Sequence, residues 1–142
     1  MERIVVGIDG SADARRALRW GLHEAAVHGA EVQLVHAYPT PELVALPAVV
    51  TLPSDDELRK AAEEVIAEVL DGDGGPGEVP VTTTVMAGGA ASVLCEVAKG
   101  ALMMVVGARG LGGFRGLLLA SVTHQVVAHS PCPVVVAVPE GR

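Results

Sequence analysis

Short apolar runs alternate with helix-like segments along the whole chain. Between the runs, apolar side chains recur every three or four residues, as on one face of a helix. Alternation of short buried strands with helices is typical of a parallel sheet covered by helices. The pattern therefore predicts an α/β fold with an open five-stranded parallel sheet and helices on both faces. The predicted strands cover residues 4–8, 32–36, 81–86, 102–106 and 134–138.

Residues that favour helix ends mark the boundaries of the predicted helices. Ser11 can cap the first helix, and Gly29 can end it. Ser54 and Glu57 form a capping box at the start of the second helix. The four predicted helices cover about 12–28, 54–70, 91–99 and 121–129.

The third and the last apolar runs differ in their polarity. The third run mixes threonines with apolar residues, as expected of a strand at a sheet edge. The last run is apolar at every position from Val134 to Val138. If that strand also lies at an edge, its bare hydrogen-bonding side needs a cover, and a partner subunit is the simplest one. We therefore expect a homodimer that meets along the last strand.

Composition and charge narrow the class of protein. The chain has 142 residues, of which 50% are hydrophobic and 19% charged, which predicts one domain over residues 1–142. No apolar run approaches the roughly 20 residues that a membrane-spanning helix needs. The net charge is -7, and no basic cluster is present to follow a phosphate backbone. We expect a cytoplasmic protein that binds neither membranes nor nucleic acid.

Few side chains are available for metal binding or for stacking. Cys95 and Cys132 lack the spacing of a zinc site, and we expect both to be buried apolar residues. The histidines lack metal-site spacing, and His36 is expected to be packed and hydrogen-bonded. Aromatic residues make up only 2% of the chain, so a flat ring cannot be held mainly by stacking. Any such ligand must be held mainly by the backbone.

A glycine-rich segment follows the fourth predicted strand. Residues 107–116 contain five glycines and lead towards the helix that carries Ser121 and Thr123. Glycines allow main-chain N–H groups to approach a ligand, and a helix N-terminus favours an anion. The segment is therefore either a phosphate cradle or only a flexible strand-to-helix connection.

Several better-known nucleotide loops are excluded. No Gly-Lys-Ser or Gly-Lys-Thr follows, so the segment is not a Walker loop. The dinucleotide fingerprint should open the first helix, where this chain reads Asp-Gly-Ser-Ala at residues 9–12. The same four residues also lack the Ser-Gly-Gly-x-Asp-Ser loop expected of an adenylating ligase.

The spacing of the small residues resembles the nucleotide-binding branch of the universal stress protein family. In that branch Gly, two residues, Gly and nine residues precede Gly followed by Ser or Thr. Here Gly107 and Gly110 match, residues 111–119 supply the nine, and Ala120 and Ser121 close the motif. Alanine stands in place of the third glycine, which leaves open whether nucleotide binding is weakened.

Other segments extend this resemblance over nearly the whole chain outside two predicted loops, at residues 38–53 and 71–80. The opening strand leads to Asp9, as in the family. The second strand carries His36 followed by Ala37, and residues 131–134 read Pro-Cys-Pro-Val. The combination of motifs is more specific than the glycines alone.

The resemblance implies a Rossmann-like sheet with strand order 3-2-1-4-5. It also implies that ATP, with Mg²⁺ as an option, lies over the carboxyl ends of the first, second and fourth strands. That place agrees with the rule that open α/β sheets bind ligands where the strand order reverses. The residues implied to contact the nucleotide are Ile8, Asp9, Ala37, Val106, Gly107, Arg109, Gly110, Ala120, Ser121, Val122 and Thr123.

Two of these residues have alternative roles. Asp9 either binds the ribose, the adenine or Mg²⁺, or only caps the following turn. The ligand role is favoured because Asp9 lies at the expected point of strand-order reversal. Arg109 either pairs with a phosphate or extends into solvent.

Together these features predict an ATP-binding stress-response protein that acts as a nucleotide-sensing homodimer. No convincing general base is evident near the expected phosphates, so hydrolysis, if any, should be slow. The alternative is an interaction module of the same fold that has lost the nucleotide, with Ala120 as the lesion.

Overall fold

The computed structural model describes residues 1–9, 12–39, 54–71, 77–108 and 121–139. Strands and helices alternate through these ranges, as the apolar pattern predicts. The strands are β1 Arg3–Gly7, β2 Glu31–Tyr38, β3 Val81–Ala87, β4 Met103–Gly107 and β5 Val134–Ala137. The helices are α1 Ala12–His28, α2 Asp55–Asp71, α3 Ala90–Val97 and α4 Ser121–His129.

The helix ends predicted at Ser54 and Gly29 are confirmed, whereas α3 ends at Val97, two residues before its predicted end. The Ser54 hydroxyl accepts a hydrogen bond from the Glu57 amide at 3.1 Å, so Ser54 caps the first turn of α2. Gly29 follows α1 with φ +66°, and the amide of Ala30 donates to the carbonyl of Ala25 at 2.9 Å. This left-handed glycine closes the helix, because a residue with a Cβ adopts that conformation only with strain. Ser11 lies outside the described residues.

The five strands form one parallel sheet in the order β3-β2-β1-β4-β5. This order confirms the predicted Rossmann-like α/β fold. The strand β2 extends beyond the predicted run because Ala37 and Tyr38 continue the ladder with Met86 and Ala87 of β3. The chain passes from β2 and β3 on one side of β1 to β4 and β5 on the other, so the strand order reverses between β1 and β4.

Alternate side chains along the strands fill two separate apolar layers. Ile4, Val6 and Leu34 pack in the layer that also contains buried residues of α1 and α2. The second layer lies between the other face of the sheet and α3 and α4. Its buried residues are Val5, Val35, Val93, Leu94, Ala98, Met104, Val106 and Val126. Helices therefore cover both faces, as predicted.

The two cysteines are half-buried rather than buried as expected. Cys132 packs against the second apolar layer, and the Ser130 hydroxyl lies 3.6 Å from its sulfur. Burial raises the pKa of the Cys95 thiol, and the nearby Cys132 raises it further. A raised pKa keeps the Cys95 thiol protonated at neutral pH, which fits the unreactive role expected of it.

Two negative findings hold for the described ranges. None of the helices in them is long and apolar enough to cross a membrane. No cluster of three histidine, cysteine or acidic side chains there has the arrangement of a metal site.

Candidate functional site

The carboxyl ends of β1, β2 and β4 form one edge of the sheet, and most of the predicted site residues that are described lie there. Ile8 follows β1, and its amide donates to the carbonyl of Val35 at 2.9 Å. Ile8 and Val106 are buried, whereas Asp9 and Ala37 are half-buried. Three predicted residues, Arg109, Gly110 and Ala120, lie outside the described residues.

His36 fastens the end of β1 to β2. Its ring Nδ1 is hydrogen-bonded to the carbonyl of Ile8. A carbonyl only accepts hydrogen bonds, so Nδ1 is the donor of this bond. The prediction of a packed, hydrogen-bonded histidine is confirmed. The main-chain position of Ile8 is thus held both by the sheet ladder and by this side chain.

Gly107 ends β4 in close contact with the first turn of α1. A Cβ at this position would lie 2.7 Å from Cβ of Asp13 and 2.9 Å from its carbonyl carbon and oxygen. Such distances are too short for real side chains, so the missing side chain lets α1 approach the strand. The resemblance implied a ligand contact for Gly107, and the structure adds a packing role that sequence reasoning missed.

Asp13, in the first turn of α1, is also buried, with 5% of its surface exposed. It accepts a hydrogen bond from Nη1 of Arg16 at 2.7 Å. The pair stands three residues apart on one helix, and the carboxylate near the helix N-terminus is favoured by the helix dipole. In the sequence, this pair could have been predicted from an acidic residue in the first helical turn, three positions before an arginine.

The start of α4 is joined directly to the end of β4. Thr123 is 4% exposed, and its Oγ1 donates to the carbonyl of Gly107 at 2.9 Å. Ser121 and Val122 are exposed. The three residues therefore share the first turn of α4, but only Ser121 and Val122 present their side chains to solvent.

Tyr38 closes the end of β2 against α2. Its hydroxyl donates to Oδ1 of Asp55 at 3.1 Å, and the guanidinium of Arg59 lies 5.6 Å from the ring centroid. Burial, together with the hydrogen bond to Asp55, raises the pKa of the Tyr38 hydroxyl. The ring is 3% exposed, so it is not a surface on which a ligand ring can stack.

Comparison with known proteins identifies the family. The model of the universal stress protein family matches residues 1–138. This chain belongs to the universal stress protein family. The match covers β1 to β5 and therefore includes every element that surrounds the carboxyl edge.

Universal stress proteins of similar sequence occur in several bacteria. One from Thermus aquaticus is 36% identical over 137 residues, covering 92% of this chain and 94% of that protein. One from Mycolicibacterium smegmatis is 33% identical over 138 residues, covering 94% of this chain but 47% of that protein. The chain thus spans about half the length of the mycobacterial universal stress proteins that it matches.

Solved universal stress proteins share the fold. UspA from Lactobacillus plantarum superposes with a TM-score of 0.73 at 22% identity, covering 96% of this chain and 97% of that one. A universal stress protein in complex with cAMP superposes with a TM-score of 0.70 at 28% identity, covering 95% of each chain. One from Archaeoglobus fulgidus in complex with dAMP gives a TM-score of 0.62 at 20% identity, covering 96% and 97%.

Proposed function

We propose that this chain binds an adenine nucleotide, ATP in particular, at the carboxyl edge between β1 and β4. The observation that carries the proposal is the junction at which α4 begins beside the end of β4, at the reversal of strand order. Family members in complex with cAMP and dAMP support the choice of an adenine nucleotide.

The base would be held by main-chain groups and small apolar side chains. Ile8, Ala37 and Val106 line the ends of the three strands that meet there, and none of them carries a ring for stacking. Backbone groups can read the edge of a base, and apolar side chains exclude water from its faces. Asp9 follows Ile8 in the chain. Its carboxylate would accept a hydrogen bond from a ribose hydroxyl or help to bind Mg²⁺.

The phosphates would lie at the N-terminus of α4. The first amides of a helix have no partner within the helix, and the helix dipole favours an anion there. The exposed hydroxyl of Ser121 belongs to this first turn. As the resemblance implies, Gly107, Arg109 and Gly110 would complete the contacts to the ribose and phosphates. Nucleotide occupancy, rather than turnover, would be the output of the protein, because the sequence offers no convincing general base near the phosphates.

Nucleotide carried through purification tests this proposal most directly. Protein purified without added ligand, denatured by heat and resolved on an anion-exchange column should release an adenine nucleotide. Calorimetric titration should then show ATP binding to the wild type and none to Gly110→Val, because a branched side chain blocks the main-chain approach. The control Gly77→Asn lies at a positive φ that asparagine tolerates, away from this edge. Wild-type affinity in folded Gly110→Val would overturn the assignment.

The alanine at position 120 favours a second candidate, a nucleotide-free interaction module of the same fold. If the wild type binds no nucleotide and Ala120→Gly gains ATP binding, the missing glycine accounts for the loss. If neither protein binds ATP, the interaction module replaces the nucleotide-binding proposal.

We also propose that the protein is a homodimer that meets along β5. This strand is a sheet edge, and among the described residues no strand pairs with its outer side. Val134 and Val136 are half-buried, and Val138 just beyond the strand is 50% exposed. A second copy of the same strand would satisfy the open edge and cover the valines.

A further inference from the structure

Two hydroxyl side chains in the first turn of α4 have different environments. Ser121 is exposed, whereas Thr123 is buried and donates its hydroxyl hydrogen to the carbonyl of Gly107 at 2.9 Å. A threonine hydroxyl carries one hydrogen, and phosphate oxygens at neutral pH act mainly as acceptors. While the bond to Gly107 stands, the Thr123 hydroxyl has no hydrogen left to donate to a phosphate.

The carbonyl that Thr123 holds is itself fixed from several sides. The helix α1 packs on Gly107 through Asp13, at distances that leave no room for a side chain. The next residue, Ala108, is buried, and its amide donates to the carbonyl of Ala137 at 3.1 Å. The end of β4 is therefore held in place by packing and by hydrogen bonds. The Thr123 side chain joins the start of α4 to it.

We propose that Thr123 is a positioning residue for nucleotide phosphates and that Ser121 makes the hydroxyl contact. The bond from Thr123 to Gly107 aligns the first amides of α4 with the site where the phosphates bind. This inference rests on the proposed nucleotide function. It differs from the direct phosphate contact that the resemblance implies for Thr123.

The two roles predict different effects on the binding of ATP and of adenosine, the nucleoside that lacks the phosphates. Loss of a positioning bond misaligns the amides that meet the phosphates but leaves the base pocket intact. Thr123→Val, which has nearly the same shape, should weaken ATP about fivefold to tenfold, in line with the loss of one hydrogen bond. Adenosine affinity should stay within about twofold, and Thr123→Ser should restore ATP binding.

If Thr123 holds the start of α4 in position, its loss must also change the protein in the absence of nucleotide. In nucleotide-free Thr123→Val, the amides of residues 125–127, which bond back to the first turn of α4, should exchange faster than in wild type, since that turn has lost its anchor. Ser121→Ala should also weaken the affinity for ATP, but it should leave the exchange of the free protein unchanged. Thr84→Val is the matched control, because Thr84 accepts a hydrogen bond from Gln33 at 2.8 Å on β3 and lies outside the site.

Calorimetry with ATP and adenosine, combined with hydrogen exchange of the free proteins, separates the outcomes. An unchanged ratio of ATP to adenosine affinity in Thr123→Val overturns the inference. A fallen ratio with unchanged exchange also overturns it and assigns Thr123 a direct contact.

Should Thr123→Val fail to fold, an unchanged ratio in Ser121→Ala overturns the proposed division of roles, and a fallen ratio with unchanged exchange supports it. Wild-type protein that binds neither ligand refutes the proposed function itself, a result distinct from the others.

Discussion

Gly107 is the residue on which the packing at the carboxyl edge depends most directly. It stands between two helices: the backbone of α1 occupies the space of its absent side chain, and Thr123 of α4 bonds its carbonyl. A glycine after a strand is usually taken as a ligand contact or as a turn. Here close approach of a helix backbone is a sufficient physical reason for it.

Replacing Gly107 by alanine should destabilise the protein. The new Cβ would meet Asp13 backbone atoms at 2.9 Å, and relief requires movement of α1 because no flexible side chain can give way. We expect a loss of about 1–3 kcal/mol in the free energy of unfolding, measured by urea denaturation. Gly89→Ala is the control, since its Cβ would meet nothing within 4 Å and its φ is -68°, and it should cost no more than about 1 kcal/mol. Equal stability of the two variants would refute the packing role.

At the scale of secondary structure elements, Arg3 joins β1, β2 and α3 at the amino edge of the sheet. Its guanidinium donates to the carbonyls of Val97 and Lys99 at 2.9 and 2.6 Å and to Oε1 of Gln33 at 3.2 Å. These carbonyls lie at the C-terminal end of α3, where the helix dipole favours a positive charge. One side chain thus anchors a short helix to the sheet.

Arg3→Met should lower the free energy of unfolding by about 1.5–3 kcal/mol, because the carbonyls lose a charged donor. Lysine at this position should restore only part of the loss, since it lacks the planar fork of donors. Lys99→Met is the control, because the Lys99 side chain pairs with Glu96 on the surface at 2.9 Å, and such an exposed pair is worth at most about 1 kcal/mol. Chemical denaturation of the variants measures the differences, and an Arg3→Met loss no larger than that of Lys99→Met would show that the anchor is unimportant.

For the whole molecule, we propose that the exposed edge of β5 determines assembly. If β5 meets its copy, Val138→Asp should convert the dimer to a monomer in sedimentation equilibrium, because a buried unpaired carboxylate costs several kcal/mol. Val138 is preferred to Val136 for this test because Val136 also packs on the second apolar layer. Val27→Asp is the control, as Val27 is 66% exposed on α1, outside the proposed interface. A Val138→Asp protein that keeps a dimeric wild-type mass would place the interface elsewhere.

The amino-acid sequence by itself determined the helices and strands, their succession along the chain and the class of fold. This was possible because burial of one helix face imposes a hydrophobic period, and burial of both faces of a parallel strand gives a continuous apolar run. Both patterns can be read locally. Ser54 and Gly29 marked helix ends for the same reason, since capping depends on neighbouring backbone groups. The glycine spacing carried the resemblance to the family, and that resemblance implied a site at the carboxyl edge of the sheet.

Only the tertiary structure decided what the residues at that edge contact. The packing of Gly107 on Asp13 and the bond from Thr123 to Gly107 join segments that are far apart in the sequence, and no local pattern encodes which helix end meets which strand end. The sequence placed Ser121 and Thr123 together as two equivalent hydroxyls. Their separation into an exposed and a buried group follows from the packing of α4, which buries Thr123 and Val126 and leaves Ser121 exposed.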